Sequence, residues 1–463
     1  MSTSSSNRKL PLRVLIGFPL ANFGPTLQTC IQMYFLLYFF TNVLGISGTA
    51  AAIIIMVARI WDFINDPLMG ILVERTKRPD KCLFWMRVAL VPVAIFMILT
   101  YTAPQFGTTG KIVWALLMFI GLGMSQTAYS IPLNSLRPKL TSDRAQRAKL
   151  GTFEGVFSIA ANIIVPSVTM PFVAWLQGFP VSAPFTILAI VYATVYIIVG
   201  VIGLLMMRGS ESEEVSSAIS DRGEKVSAGE MLKTLLTNKV ALLILLVQII
   251  KMFISSTIGA SMTYYYQYNI QNLNLMSLVN SIGGFIGVLP VLLLVPLQKK
   301  FGNAGTALIG CAVGLVALAI RFVFHDSTPL ILVSMGILES IGVQLPNSMM
   351  VQCLMDSIDY GEWKTGNRPV AVIMSASGIG QKVGLAFGTS IAGFIIGALS
   401  FDPNAAVQPQ NVLNSFFDIN VVLPMVMYIG MALIFVYLIR IEKRLPQMRA
   451  DIEARKQAAA QGK

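Results

Sequence analysis

Residues 49–73 read TAAAIIIMVARIWDFINDPLMGILV, an apolar run interrupted by Arg59, Asp62 and Asp66. The run is long enough to cross a bilayer as a single helix. Because Asp62 and Asp66 are four residues apart, they project from one face of that helix, with Asn65 beside them and Arg59 one turn earlier. A charged group at that depth costs about 3 kcal/mol on insertion scales. The stretch therefore predicts a transmembrane helix whose carboxylates serve a function.

The composition indicates that the rest of the chain is also embedded in a membrane. Hydrophobic residues make up 55% of its 463 residues, whereas charged residues make up 12%, about half of the share usual in soluble domains. Apolar runs of about twenty residues recur along the chain. We therefore predict an all-α polytopic membrane protein with twelve transmembrane helices. The predicted spans are residues 12–43, 47–74, 83–104, 111–137, 150–177, 184–207, 240–267, 275–298, 304–324, 329–357, 370–399 and 417–440.

A polar segment divides these spans into two sets of six. Residues 208–239 are charged and Ser-rich, as expected of a linker. Two six-helix bundles joined by one central loop are the layout of the major facilitator fold. We expect an N-terminal bundle at 1–207, a cytoplasmic linker at 208–239, a C-terminal bundle at 240–443 and a cytoplasmic tail at 444–463.

Basic residues concentrate in alternate loops. Lys and Arg follow predicted spans two, four, eight and ten, whereas intervening loops such as TNVLGISG and NIQNLNL carry none. The positive-inside rule then predicts that both termini lie in the cytoplasm. The net charge of +12 is explained by loops that face anionic lipid, so the lipid bilayer is an expected partner and nucleic acid is not.

Nothing in the sequence indicates an enzyme. It contains no nucleotide-binding loop and no cluster of metal-ligating residues at a recognisable spacing. Cys30, Cys82, Cys311 and Cys353 show no paired spacing, so we expect them to be small core residues. We expect neither enzymatic activity nor a cofactor, apart from a coupling cation.

The polar side chains of the second span suit a monovalent cation. Hard cations prefer carboxylate, amide and hydroxyl oxygens, which Asp62, Asn65 and Asp66 supply from one helix. Thr127 in the fourth span adds a hydroxyl if that helix packs alongside. The residues alone leave Na⁺, Li⁺ and H⁺ open. They also leave open a purely structural role, in which Arg59 pairs with an aspartate and pins two helices together.

Gly, Pro and amide residues interrupt three other spans, at residues 22–26, 130–134 and 345–347. We expect broken helices there, because irregular backbone at membrane depth is tolerated where it lines protein or a wet cavity. Polar side chains at such breaks suit a hydroxyl-rich solute. Helix kinking without a cavity is the alternative. The candidate solute-binding residues of these segments are Thr26, Ser130, Asn134 and Asn347.

A few other ionisable residues lie within predicted spans. Glu154, Lys251, Glu339 and Lys382 have either a functional or a structural explanation. Arg321 lies near the end of the ninth span, where we expect its side chain to extend to the membrane interface. We expect the single histidine, His325, to be solvated in an external loop.

Three segments resemble one family of transporters. ARIWDFINDPLMG, VERTKRP and MDSIDYGEWKTGNR are similar to motifs of the glycoside–pentoside–hexuronide:cation symporters, and the resemblance covers all twelve spans. It implies import of a sugar or glycoside with Na⁺ or H⁺ across a bacterial inner membrane. It also implies that Asp62, Asn65, Asp66 and Thr127 form the cation site and that Lys382 lies near the sugar. Structural or gating roles are expected for Arg59, Asp356, Asp359, Tyr360 and Glu362, the last four as a latch between the halves.

The sugar site departs from the pattern of the melibiose-transporting member of that family. Pro25–Thr26 replaces a Lys–Asp pair, and Ser130 and Asn134 replace an aspartate and a tryptophan. Glu154 replaces an arginine and Asn347 a tryptophan, so a galactoside is not expected. A non-sugar or anionic solute attracted by Lys382 and Lys251 remains an alternative, as does a non-transporting sensor.

Overall fold

The computed structural model describes residues 10–141, 143–211, 235–287, 289–366, 368, 370–399, 401–405 and 407–461. Within these ranges the secondary structure is helical, with no strand. Most of the predicted central linker, residues 212–234, lies outside the described residues.

Six long helices make up the N-terminal part of the chain. The end of the first continues as a π-helical segment, Phe39–Val43. The helix α2 begins after Ser47, whose side chain accepts a hydrogen bond from the amide of Ala50 and caps the helix. The six are α1 (Leu12–Tyr38), α2 (Gly48–Arg75), α3 (Lys81–Thr100), α4 (Thr108–Leu140), α5 (Arg144–Gln177) and α6 (Pro184–Met206).

The C-terminal part of the chain contains nine helices among the described residues. Two of them continue as π-helical segments, Tyr265–Asn269 and Asp418–Val422. The helices are α7 (Lys239–Tyr264), α8 (Leu273–Ile286), α9 (Leu289–Leu292), α10 (Leu294–Phe324), α11 (Pro329–Thr365), α12 (Val370–Ala398), α13 (Gln410–Phe417), α14 (Leu423–Glu442) and α15 (Leu445–Gln461).

The number of apolar segments confirms the predicted fold class. Eleven helical segments among the described residues are long and apolar enough to cross a membrane, and α8 is a shorter apolar helix. Many large apolar side chains on these helices are exposed, among them Val91 and Leu205, as expected for surfaces that face lipid. The chain is therefore an all-α polytopic membrane protein.

The chain bends between predicted spans eight and nine, inside the predicted connection at residues 299–303. The helix α10 runs across it and contains a non-helical residue, Gly302, at φ 76°. The carboxylate of Glu442 lies where a Cβ of residue 302 would be, and it accepts hydrogen bonds from the amides of Asn303 and Ala304. Only glycine combines this left-handed backbone with so close an approach. The chain therefore bends at Gly302, within the predicted connection, although helical structure continues on both sides of it.

The predicted helix breaks at prolines were also wrong. The helices α1, α4 and α11 continue through residues 22–26, 130–134 and 345–347. Pro25 lacks the amide proton that would bond to the carbonyl of Ala21. The hydroxyl of Tyr129, on α4, donates a hydrogen bond to that carbonyl at 2.9 Å. A neighbouring helix thus satisfies the backbone group that proline leaves free, and α1 has no need to unwind.

The described structure divides into two compact units. The first comprises residues 1–224 and 393–409, and the second comprises residues 225–392 and 410–463. In the first unit an aromatic cluster is buried at one end of α1, where the Phe39 ring lies 5.2 Å from Tyr101 and 5.7 Å from Phe185. In the second unit, side chains of α7, α10, α11 and α14 form the main core. All four cysteines are buried, as expected of core residues.

Candidate functional site

The helices α2 and α4 pack in a regular register that brings the predicted cation ligands together. Arg59 lies over the ring of Phe119, with 5.7 Å between the guanidinium carbon and the ring centroid. One turn further along both helices, a Cβ at Gly123 would lie 2.9 Å from Asp62 Oδ1. Because Gly123 has no side chain, this carboxylate fits against the backbone of α4. One helical turn further along α2, the Asp66 side chain contacts α4, so both aspartates face that helix.

Thr127 makes the contact with Asp66. Its hydroxyl donates to Asp66 Oδ1 at 2.9 Å, and the Thr127 side chain is buried. The sequence placed Thr127 at the site only on the condition that α4 packs beside α2, and the structure shows that packing. The hydroxyl also carries two lone pairs, which lie next to the carboxylate. A hydroxyl and a carboxylate from two helices thus converge on one point.

Arg59 contributes positive charge to the same region. Its guanidinium lies 3.4 Å from Asp62 Oδ2 and donates to Gln32 Oε1 of α1 at 3.0 Å. The Nε atom of Arg59 is buried without a hydrogen-bond partner. The Arg59 and Asp62 side chains are each 20% exposed, and 3.4 Å is long for a charge-assisted hydrogen bond. Arg59 thus holds Asp62 less closely than a short ion pair would.

Asn65 completes the group. Its amide nitrogen is buried and has no hydrogen-bond partner. Rotating the amide by 180° would put its oxygen in that position, because the two ends of an amide have nearly the same shape. No group of three or more His, Cys, Asp or Glu side chains suited to a metal ion occurs among the described residues. A cation at this place would therefore be held by two carboxylates with the Asn65 amide and the Thr127 hydroxyl, oxygen ligands suited to Na⁺.

A polar stripe leads away from this cluster along α4. Thr127, Ser130, Asn134 and Arg137 follow one another at spacings of three or four residues, so they share one helical face. Ser130 is half-buried and Asn134 is exposed. The stripe connects the predicted cation ligands to two of the predicted solute-binding residues.

Glu154 of α5 lies at the far end of this stripe. Its carboxylate pairs with Arg137 at 3.1 Å and accepts a hydrogen bond from the Asn22 amide of α1 at 3.1 Å. Thr26 donates to the backbone carbonyl of Asn22 at 2.9 Å. The structure thus joins Thr26, Asn22, Glu154 and Arg137 in one polar group across α1, α4 and α5. Arg137, assigned to a loop edge, was not predicted as the partner of Glu154.

The other two predicted solute residues lie in the second unit. The ammonium group of Lys251, on α7, donates to Asn347 Oδ1 of α11 at 2.7 Å. Lys382 is exposed on α12. The helix α12 packs on α7, where the hydroxyl of Thr257 donates to the carbonyl of Gly388 at 3.0 Å. Lys251 and Lys382 are therefore carried by adjacent helices.

The acidic signature of α11 forms an ion-pair cluster. Arg449 of α15 contacts Asp356 at 3.1 Å and Asp359 at 2.8 Å. Arg368 contacts Asp359 at 3.1 Å and Glu362 at 2.7 Å, and Lys456 of α15 lies 2.7 Å from Glu362. These pairs fasten α15 to the end of α11 within the second unit.

The helix α15 was not predicted, because residues 444–463 were expected to form a tail. Leu445, Met448 and Ile452 of this helix are buried, and the spacing of these three residues is the signal that could have revealed it. The ring of Tyr360 lies 6.2 Å from that of Trp363, one turn away on α11. A latch between the two halves, suggested by the family resemblance, stays a prediction.

One connection outside the spans carries a further acidic residue with altered ionisation. Asp80, before α3, pairs with Arg78 at 3.2 Å and with Arg87 at 3.3 Å. Partial burial opposes ionisation, but the hydrogen bond from Arg78 and the charges of both arginines outweigh it and lower the pKa of Asp80. Asp80 therefore stays ionised and holds the turn between α2 and α3.

Arg321, whose side chain was expected to extend to the membrane interface, has its partners within the protein. Its side chain is buried and binds Asp326 through three contacts of 3.0 to 3.1 Å. It also binds Glu339 of α11 at 2.9 Å, while the hydroxyl of Tyr265 donates to Asp326. Two carboxylates and a tyrosine surround the guanidinium, which removes any need to reach water. His325 is exposed, as expected, and its ring stacks on Phe417.

Comparison with known proteins gives a consistent assignment. The model of the MFS/sugar transport protein family matches residues 17–443. The isoprimeverose transporter of Lactiplantibacillus pentosus is 26% identical over 453 residues, covering 96% of this chain and 92% of that one. The glucuronide carrier protein homolog of Escherichia coli strain K12 is 25% identical over 463 residues, covering 98% of each chain.

A solved structure supports the fold independently. The bacterial homologue of the human lysosomal transporter Spinster aligns with a TM-score of 0.64 at 11% identity, over 94% of this chain and 97% of that one. At this identity the similarity speaks for the fold alone. Since the family model covers nearly the whole chain, this multi-pass membrane protein belongs to the MFS/sugar transport protein family.

Proposed function

We propose that this chain is a symporter that imports a sugar or glycoside together with Na⁺ or H⁺ by alternating access. The observation that carries the proposal is the convergence of Asp62, Asn65, Asp66 and Thr127 between α2 and α4. The proposed location is a bacterial inner membrane with both termini in the cytoplasm, in keeping with the basic residues of alternate loops.

The cluster can couple the two solutes through charge. Two carboxylates on one helical face repel each other and lose hydration in the membrane, so an incoming cation lowers the free energy of the conformer that brings them together. If that conformer also binds the solute more tightly, each ligand raises the affinity for the other by the same factor. Coupling therefore requires Asp62 and Asp66 to exchange partners during the cycle.

The role of Thr127 distinguishes Na⁺ from H⁺ as the coupling cation. With Na⁺, the hydroxyl oxygen acts as a ligand, so its loss weakens cation binding directly. With H⁺, the proton resides on Asp66 and the hydroxyl is only a hydrogen-bond partner. We expect Thr127→Val to weaken cation affinity more than tenfold in a Na⁺-driven process but less in a proton-driven one, and Thr127→Ser to preserve both.

The solute class is supported by the polar residues and by the names of the relatives. Thr26, Ser130, Asn134 and Glu154 offer hydroxyl, amide and carboxylate groups in the first unit, a combination that suits a polyhydroxylated molecule. Relatives named for isoprimeverose and for glucuronides favour a sugar or glycoside. We expect Lys382→Ala to weaken solute binding severalfold, measured by equilibrium binding, and unchanged affinity would remove Lys382 from the site.

A sugar acid is the second candidate solute. The observation in its favour is the presence of two cationic side chains, Lys251 and Lys382, on the adjacent helices α7 and α12. An organic anion would gain charge-assisted hydrogen bonds from such groups. A neutral glycoside would gain only ordinary hydrogen bonds from them.

Uptake by proteoliposomes tests both proposals. The purified protein would be given an imposed Na⁺ gradient, an imposed proton gradient, both or neither, with labelled glycosides, sugar acids and an amino acid as a solute from another class. We expect accumulation of a sugar or sugar acid under one cation gradient and none without a gradient. Accumulation of no sugar under any gradient, by protein that remains folded, would refute the proposed function.

A further inference from the structure

The second unit contains an open cavity of about 720 Å³, apart from every residue assigned above to cation or solute. It lies where α7 and α10 end and α11 and α13 begin. This is the end of the unit opposite the ion-pair cluster of α11 and α15, because α11 begins at the cavity and ends at that cluster. A volume of this size holds a mono- or disaccharide.

The walls of the cavity combine flat rings with amides. His325 stacks on Phe417 with 5.0 Å between ring centroids and 8° between planes, and Phe322 lies 6.5 Å from Phe417. Amide side chains of Asn269, Asn272, Gln410 and Asn414 border the same space. Flat rings accept the C–H face of a sugar, and amides donate to and accept from its hydroxyls.

The charged residues that line the cavity disfavour a negatively charged ligand. Asp326 and Asp418 face the cavity, and no Lys or Arg occurs among the described residues that line it. A negatively charged ligand would meet the exposed carboxylate of Asp418, whereas the charge of Asp326 is already paired with Arg321. A neutral ligand can use the exposed Asp418 as a hydrogen-bond acceptor. The cavity therefore differs from the region of Lys251 and Lys382, which suits an acid.

One acceptor in the lining is left unused. The amide nitrogen of Asn269 donates to the carbonyl of Leu413 at 2.8 Å, whereas its Oδ1 atom is buried without a hydrogen-bond partner. The hydrogen bond to Leu413 fixes the orientation of this amide. Because its Oδ1 atom is enclosed, the Asn269 side chain shapes the wall of the cavity and is held in place by Leu413.

The backbone around the cavity is held in unusual conformations. Gln271, His325 and Asp326 are the non-glycine residues with positive φ among the described part of the chain, at 57°, 50° and 49°. All three lie in the two connections that border the cavity. Such conformations persist where the surroundings enforce them. The bidentate contact of Arg321 with Asp326 does so here, and it presents the His325 ring to Phe417.

We propose that this cavity is a second solute-binding site, specific for an uncharged, hydroxyl-rich molecule such as a neutral mono- or disaccharide. It is separate from the polar group around Glu154 and from the cation cluster. The choice of a sugar as the ligand rests on the proposed function. The Arg321 cluster acts as a positioning device, which keeps the connection at residues 325–327 in the shape that binds.

A fluorescent reporter beside the cavity tests this proposal. Asn411 is exposed on α13 next to two lining residues, and the four native cysteines are buried, so Asn411→Cys can be labelled selectively with an environment-sensitive thiol dye. The probes are isoprimeverose and the matched pair methyl β-D-glucoside and methyl β-D-glucuronide, which differ only in a carboxylate. We expect a saturable emission change with the neutral probes and at least tenfold weaker binding of the glucuronide.

Two variants assign the response to the cavity. Phe417→Ala removes the flat ring, and Asn414→Ala removes an exposed amide whose loss leaves packing intact. We expect each to weaken binding of the neutral probes at least tenfold. No saturable response in the labelled protein would overturn the proposal, as would a response that both variants leave unchanged.

Uptake by the same labelled protein separates this proposal from the proposed function. Uptake without a fluorescence response would refute the second site alone. A fluorescence response without uptake of any sugar would refute the symporter proposal and leave the second site standing.

Discussion

Both units place an arginine beside two carboxylates within apolar helices, but the two clusters differ in how tightly the charges are held. Arg321 is 6% exposed and meets Asp326 and Glu339 at 2.9 to 3.1 Å. Arg59 and Asp62 are each 20% exposed and lie 3.4 Å apart. The neighbouring Asp66 accepts a hydroxyl at 2.9 Å.

The difference follows from geometry and teaches how to recognise an exchangeable site. A buried ion pair survives only when its geometry is good and its remaining polar atoms are satisfied, and Arg321 meets that demand with Tyr265 as an additional neighbour. Arg59 retains a buried Nε without a partner, and Asn65 retains a buried amide nitrogen without one. A cation cannot satisfy the Nε–H of Arg59, which is a donor, but the Asn65 amide can present its oxygen to a cation after a 180° rotation. We therefore regard the first cluster as exchangeable and the second as fixed.

Removing the two arginines should have very different effects on stability. Arg321→Met leaves Asp326 and Glu339 buried without their partner, and we expect a loss of about 3–5 kcal/mol of unfolding free energy. Arg59→Met removes the long contact with Asp62 and the 3.0 Å hydrogen bond to Gln32, and it should cost about 1–2 kcal/mol because the Arg59 side chain is partly exposed. Thermal unfolding in detergent, followed by size-exclusion chromatography, measures both. Equal losses for the two variants would contradict the distinction between the clusters.

The hydrogen bond between Thr127 and Asp66 offers a finer test of the first cluster. If the hydroxyl oxygen of Thr127 is a ligand of bound Na⁺ beside Asp66, Thr127→Val removes that ligand and should weaken Na⁺ affinity by more than tenfold, that is, by more than about 1.4 kcal/mol. Thr127→Ser keeps the hydroxyl and serves as the matched control. Affinity is measured as the cation concentration that gives half-maximal uptake. If the valine variant kept its affinity, Thr127 would have no part in cation binding.

The ion pairs of α15 provide an exposed case for comparison with the two buried clusters. Arg449 is 52% exposed although it contacts both Asp356 and Asp359. Because solvent screens such pairs, Arg449→Gln should lower the free energy of unfolding by less than about 1 kcal/mol. At high salt the loss should be smaller still. Hydrogen exchange of α15 measures the local loss. A global loss of stability equal to that of Arg321→Met would show that exposure is a poor guide to the importance of an ion pair in this protein.

The sequence was sufficient to predict the arrangement of the first cluster, because its residues lie close together along the chain. Asp62, Asn65 and Asp66 lie within one helical turn of each other, so periodicity alone puts them on one face. The contribution of Thr127 depended on how two helices pack, and the motif resemblance suggested it before the structure showed the contact. The helical spans were predictable for the same reason, since their lengths follow from runs of apolar residues.

The cluster around Arg321 could not be predicted from the sequence, because its residues come together only in the folded chain. Asp326 lies in a connection with positive φ, and Glu339 is on another helix, so nothing in the local pattern of Arg321 identifies them. The same applies to Arg137 and Glu154, which come from different helices. The predictions of helix breaks at Pro25 and Pro346 were wrong for a related reason. A hydroxyl from a distant residue, Tyr129, satisfies the carbonyl that Pro25 leaves free.

The central claim is that Asp66 exchanges its partner for a transported cation. The most direct test is concentrative uptake by proteoliposomes that contain Asp66→Asn, with Asp402→Asn as a matched change at an exposed loop carboxylate. We predict that Asp66→Asn abolishes cation-driven accumulation, while the protein remains folded and still equilibrates solute across the membrane. The Asp402→Asn control should accumulate solute like the unaltered protein. Full accumulation by Asp66→Asn would contradict the account.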